Sequence, residues 1–507
     1  MKERIRSRVR ARERRVRRRL AAARKLEDSG KPVMSARRIT YRVAARVQAM
    51  GYGGIGALHQ VALQSGLVDG IDGNLELLKV HKPYHESDHV LNIAYNAMCG
   101  GRTLDDIELR RNDEAFLDAL GAAAIPDPTT AGDFCRRFDA AKIEQLMDII
   151  NEARLAVWAR QGPRFLEGPA CIDADGSFVP TDGECKEGVG LSYKGGWSYH
   201  PLLVSLANTA EPLFIVNRSG NKHSHDGAAG YMDKAADLCF RAGFKDVLLR
   251  GDTDFSLTAN FDRWTSRGIR FVFGYDANKH FKARANSLDD REYRRLVRGA
   301  THAFEAKRRT PQPRIKEQIV RERGYKNIKL RSEDIAEFEH KPSRCKQTYR
   351  IIVLRKNLSI ERGEQVLFDD IRYFFYVTND ASLSAEEVVR HANERCNQEN
   401  LLAQLKGGVR ALHAPVNTLN SNWAYMVMAS LAWTLKAWLA LWPPIDPRWR
   451  AKHLAERDTW LRMEFRTFCN RVIKVPAQIV QSGRQLLIRL LGWRPDQLQL
   501  LRVLDSL

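Results

Sequence analysis

Cysteine is scarce and never paired. Eight stand singly along 507 residues (Cys99, Cys135, Cys171, Cys185, Cys239, Cys345, Cys396 and Cys469), with no CxxC among them. That spacing excludes a zinc ribbon or finger, and a chain this long has no need of a disulfide scaffold. A reducing, cytosolic compartment is the expectation. No apolar segment follows the N-terminal arginines, so a secretory signal is not expected there. Long hydrophobic runs are missing apart from Ala424–Trp442. That run is about one bilayer long at ~1.5 Å per residue, but it carries Lys436 and stands alone, so it reads as a buried core helix. Internal repeats are absent, as are low-complexity tracts beyond the N-terminal arginines. Acidic residues are in deficit: 82 Lys/Arg face 61 Asp/Glu, a net charge of +21.

What is present is enough to fold. At 44% hydrophobic and 9% aromatic residues the chain can bury a sizeable core, and its length allows about three domains. The positive charge is concentrated. Residues 1–25 hold 13 Lys/Arg against two Glu, and residues 279–356 hold 23 against ten Asp/Glu, leaving the remainder close to neutral. Two basic segments on a near-neutral body point to a polyanionic partner. Residues 1–39 read as a disordered basic arm, a nucleic-acid arm or else a solvated charged face, able to form a helix only once its charge is neutralised.

Residues 40–165 have helical periodicity, with His89–Met98, Leu104–Arg110, Asp113–Leu120 and Ala140–Trp158 as clear segments. Pro126–Phe138 starts a helix capped by Thr129 or Thr130 and carries Arg136 and Arg137. A helical DNA-binding region is the reading. At Ala170 the pattern changes. Strands are expected at Ala170–Val179, Ser198–Ala207, Leu213–Arg218, Val247–Arg250 and Ile269–Gly274, with helices over Gly227–Ala242 and Thr258–Arg267. Residues 277–378 form a β-rich basic insertion, with Thr348–Leu354 and Tyr373–Thr378 its clearest strands. Ser384 and Glu387 have capping-box spacing and open a helix that Gly407-Gly408 ends. This order of elements makes an α/β fold, a ribonuclease-H-like core (166–276, resumed at 379–445) carrying an insertion, followed by a C-terminal helical region, 446–507.

Carboxylates fall where such a core needs them. Asp173 and Asp175 share one face of the first strand, Asp252 follows the fourth, and Glu399 lies on the late helix. Hard oxygen donors gathered in this way suit Mg²⁺ or Mn²⁺, and two such ions serve phosphoryl transfer. Arg395, Glu399 and Lys406 fall within about 40° of arc on a regular helix, an arrangement that would set two cations for DNA phosphates around one carboxylate. Other candidates are the polar cluster Arg218, Asn221, His223 and His225, a metal or phosphate site or simply a polar loop. Trp197, Tyr199 and His200 are either base-stacking or core residues.

The run R-x3-E-x6-K formed by Arg395, Glu399 and Lys406 resembles the signature around the catalytic Glu of IS4-like transposases. With NERCNQENLLAQLKGG, LLRGDTDFS and IDADGSFVPT, residues 170–440 resemble the IS1380 family of DDE transposases. One position departs: Ala392 stands where the wider signature has Tyr, which bears on a secondary DNA contact and not on the metal site. The resemblance implies that Asp175, Asp252 and Glu399 are catalytic and hold two Mg²⁺ ions (Mn²⁺ possible). Asp173 is the alternative ligand, and Asp254 a local turn residue. It further implies that Arg395 and Lys406 bind DNA, and that a cytoplasmic, nucleoid-associated enzyme dimerises on the ends and target it joins. A nuclease or resolvase without strand transfer, and a non-catalytic repressor, are the competing readings.

Overall fold

The computed structural model describes residues 2–23, 48–81, 83–183, 185–192, 195–296, 327–361, 370–482 and 485–507. Residues 297–326 and 362–369, a large part of the basic insertion, lie outside them, as do residues 24–47.

The first segment departs from expectation. Residues 2–23 form a helix, α1 (Lys2–Ala23), rather than a disordered arm. Packing supplies the reason: Val9 is buried, Arg12 donates to the Leu490 carbonyl at 2.6 Å, and Arg6 lies 3.7 Å from Asp505. The helix is held by the other end of the chain. Helical segments fill the next part, including α2 (Glu86–Met98) and α3 (Ala140–Ala159). The helix Pro128–Arg136 is capped by Asp127, which accepts from the Thr130 N–H at 2.8 Å, and not by a threonine. Asp127 precedes a proline at the first helical position, the usual order at a helix start.

A nine-stranded sheet then organises the molecule. Its strands are β1 (Ala170–Gly176), β2 (Leu202–Leu206), β3 (Glu211–Val216), β4 (Val247–Gly251), β5 (Ile269–Tyr275), β6 (Asn327–His340), β7 (Tyr349–Glu361) and β8 (Asp370–Thr378), with Arg294–Arg295 at one edge. The order from that edge is β6-β7-β8-β5-β4-β1-β2-β3. Strand β4 runs parallel to both β1 and β5, and the other neighbours are antiparallel. The strands of the insertion thus extend the core sheet instead of forming a body of their own.

Helix α4 (Ala228–Ala242) covers one face with Met232, Ala235, Ala236 and Cys239. Across the other face lies α5 (Ala385–Glu394), whose Val388 and Val389 pack on Leu248, Val272, Ile352 and Leu354. Its capping box between Ser384 and Glu387 is present. The ladder breaks at Arg395; α6 (Cys396–Ala403) follows, then a π-turn over Gln404–Gly408. The single regular helix expected from Ser384 to Gly407 is therefore segmented. Helix α7 (Leu419–Leu441) is long and apolar enough to cross a membrane, but its most apolar window is 100% buried. It packs against α2, α3 and β3 as the central core helix. The C-terminal segment is only partly helical. A hairpin, Ala477–Ser482 with Gln485–Leu490, pairs with Ala49–Met50 before the last helix, Gln497–Ser506. Short apolar runs such as LLIRLL suit a strand or a helix equally, and partners decide.

Candidate active site

Register brings the aspartates together. Strands β1 and β4 are parallel neighbours in which Asp173 pairs with Arg250. Asp175 and Asp252, each two residues further on, emerge on the same side at the carboxyl ends of adjacent strands. This is the face that α5 and α6 cover. Asp252 caps the turn Thr253–Phe255, accepting from the Asp254 N–H at 3.0 Å. Gly274 on β5 lets that turn lie close, since a Cβ there would stand 2.9 Å from the Thr253 nitrogen.

Helix α6 is fastened across β1 and β2 by Gln398. Its amide donates to the carbonyls of Leu203 (3.2 Å) and Asp173 (3.5 Å), and its oxygen accepts from the Ser205 hydroxyl. Leu401, Leu402 and Leu405 bury the helix against the core. Glu399, one residue beyond Gln398, keeps 62% of its side chain exposed at the rim. Arg395 reaches inward, 3.3 Å from Asp175 Oδ2 and 4.0 Å from Glu399 Oε1.

The electrostatics are unbalanced. Burial, and then the charges of Asp252 and Glu399, push the Asp175 carboxyl up to about 6, with Arg395 opposing them. Asp252 is raised mainly by burial, again against Arg395. Three carboxylates share one guanidinium. Oxygen donors of this kind suit a hard divalent cation, which would supply the missing positive charge, but the ligand atoms of Asp175, Asp252 and Glu399 do not all lie within 4.8 Å of one another.

Asp173 belongs elsewhere. It is buried and takes both prongs of Arg250 at 2.7 and 2.9 Å, while Arg250 also reaches Glu394 at 3.2 Å. Both of its oxygens are thus engaged by Arg250 beneath the strand ends. Lys406 is half-buried within the π-turn, where its charge bears on His200. That turn adds a residue to the ladder and rotates Lys406 from the arc expected of a regular helix.

The sequence matches the family described as transposase DDE domain, group 1, over residues 36–507. The chain belongs to that family. DDE transposases bind DNA and generally use divalent metal ions. No curated protein matches this transposase-family chain. Among solved structures it is similar to one described as a piggyBac transposase synaptic complex with hairpin DNA, at 8% identity and a TM-score of 0.36, covering 84% of this chain and 83% of that one.

Other sequence candidates fall into place around this site. Arg218 donates through Nε to the carbonyl of His200 (3.0 Å) and through Nη1 to those of Ser224 (3.0 Å) and Asp226 (2.7 Å), so it organises a polar loop. Tyr199 is buried, its hydroxyl donating to the Glu187 carbonyl at 2.7 Å, whereas Trp197 is 61% exposed. His200 is buried, stacked on Phe178 with ring centres 4.2 Å apart. A Cβ at Gly176 would stand 2.6 Å from its Nε2, which explains why the residue after Asp175 is glycine. Arg250, Gln398 and this close approach went unread in the sequence. Arg250 carried a signal: it lies two residues before Asp252, on the same face, and a cation there needs a buried partner.

Proposed function

We propose that this chain is an insertion-sequence transposase of the IS1380 type with a ribonuclease-H-like core. It binds the terminal inverted repeats of its element, hydrolyses DNA at the ends and joins the freed 3′-OH to target DNA. The placement of Asp175 and Asp252 at adjacent strand ends, with Arg395 reaching Asp175 and Glu399 at the rim, in a chain of the DDE family, carries this reading. The strand order 3-2-1-4-5 over β1 to β5 supports the core assignment.

Asp175, Asp252 and Glu399 would hold two Mg²⁺ ions, or Mn²⁺, which activate the attacking oxygen and stabilise the leaving one. Arg395 holds Asp175 and Glu399 in one place, and its fork suits a DNA phosphate as well as a carboxylate. Lys406 meets the backbone beyond it. The helical segments of residues 40–165 bind the ends, and α1 adds sequence-independent affinity through its arginines. Joining two ends calls for at least a dimer on DNA, at work in the cytoplasm on the nucleoid.

A strand-transfer assay with pre-cut ends tests the reading. Mg²⁺-dependent joining to a target duplex is the expected result. Cleavage without joining would reassign the chain as a nuclease or resolvase, and end binding with neither activity would make it a repressor.

A further inference from the structure

Far along the chain from the carboxylate site, the entry to α2 gathers His81, His85 and Glu86. One ligand atom from each lies within 4.8 Å of the others. Glu86 is the anchor. Its side chain is 1% exposed, and one carboxylate oxygen accepts from the N–H groups of Leu77 (3.0 Å) and Leu78 (2.9 Å). The other oxygen points outward and stands 3.0 Å from His81 Nε2. A separation near 3 Å is what two ligands make when each lies about 2.0–2.1 Å from one ion at an angle near 90°. Ligating carboxylates are characteristically held from behind by hydrogen bonds, as this one is. The His81 and His85 rings are stacked, with centres 4.7 Å apart and planes 3° from parallel. Both residues are exposed, and a ring nitrogen of His85 lies within 4.8 Å of the His81 and Glu86 ligand atoms.

We propose that His81, His85 and Glu86 bind one borderline divalent ion, Zn²⁺ or a similar transition metal, with water completing its shell. The donors decide the class: two imidazoles with one carboxylate favour Zn²⁺, Co²⁺ or Ni²⁺ over Mg²⁺, for which the all-oxygen cluster of Asp175, Asp252 and Glu399 is the better match. The ion clips the segment before α2 onto the helix start. It serves structure and takes no part in strand cleavage.

Zn²⁺ titration of the full chain tests this, in the Asp175→Asn background and with millimolar Mg²⁺ present so that the carboxylate cluster does not compete. One retained Zn²⁺ per chain is expected, with a rise in melting temperature and, for Co²⁺, visible d–d absorption. His81→Ala and His85→Ala should each weaken binding by roughly tenfold or more. Both positions are exposed, so these variants should fold, and circular dichroism checks it. Absence of a retained Zn²⁺, or its undiminished retention in the His81→Ala/His85→Ala double variant, would overturn the proposal.

Discussion

Two charged clusters lie one step apart on the same pair of strands, and they are built differently. Beneath, Asp173 and Arg250 form a buried, two-pronged pair, with Glu394 at its edge. Above, Asp175 and Asp252 stand at adjacent strand ends with Arg395 opposing their burial, and Glu399 lies exposed at the rim. The lower cluster compensates its buried charge, and a compensated pair serves the fold. In the upper one burial raises the carboxyls of Asp175 and Asp252 against Arg395, the kind of imbalance that functional sites carry.

Substitution in the upper cluster should have the largest effect. Asp175→Asn, Asp252→Asn and Glu399→Gln should each lower Mg²⁺-dependent cleavage and joining by roughly 10²–10³-fold or more, the scale of losing a group that stabilises transition-state charge. End binding, read by gel shift, should survive. Near-normal cleavage by Glu399→Gln would detach that residue from the site. Arg250→Ala tests the lower cluster instead. It strands the buried Asp173 charge and should cost about 3–5 kcal/mol of stability in denaturant unfolding. A loss of under 1 kcal/mol would show that Asp173 finds other compensation.

The sign of the imbalance gives a third prediction. The folded-state pKa of Asp175 is about 6, above its ordinary value of 3.8. The stability linked to this proton is therefore fully present below about pH 4 and lost as pH rises through about 6. Without divalent ions, Asp175→Asn should be more stable than the parent at pH 7.5, by up to about 3 kcal/mol. That advantage should shrink at pH 5 in thermal melts; an advantage independent of pH would contradict the electrostatic cause. A smaller loss is expected at Gly176→Ala, whose methyl meets His200, at about 1–3 kcal/mol of stability. Smallest of all, Glu394→Gln should leave cleavage within about twofold, because Glu394 is half-exposed and faces Arg250.

Much of this was legible in the residues. Strand alternation located β1 to β5, and the capping box at Ser384 placed the start of α5. The spacing of Asp173 and Asp175 put both on one face. Spacing could not rank them, because both satisfy the same alternation; only Arg250 arriving from β4 separates the engaged carboxylate from the available one. The arc shared by Arg395, Glu399 and Lys406 assumed an unbroken helix, and a ladder break and a π-turn lie outside what a 3.6-residue period can report.

Local chemistry determined the elements, because alternation, caps and glycines act over a few residues and are written in order along the chain. The basic segments and the scattered acids were equally plain in the sequence. Long-range pairing decided the rest. Residues 2–23 become helix because the C-terminal hairpin and last helix hold them. The described strands of the insertion join the sheet because β8 finds the edge of β5. Asp175 and Asp252 come to adjacent strand ends because parallel register aligns β1 with β4, and the Gln398 clamp sets Glu399 at their rim, placements that only the packing of the whole chain sustains.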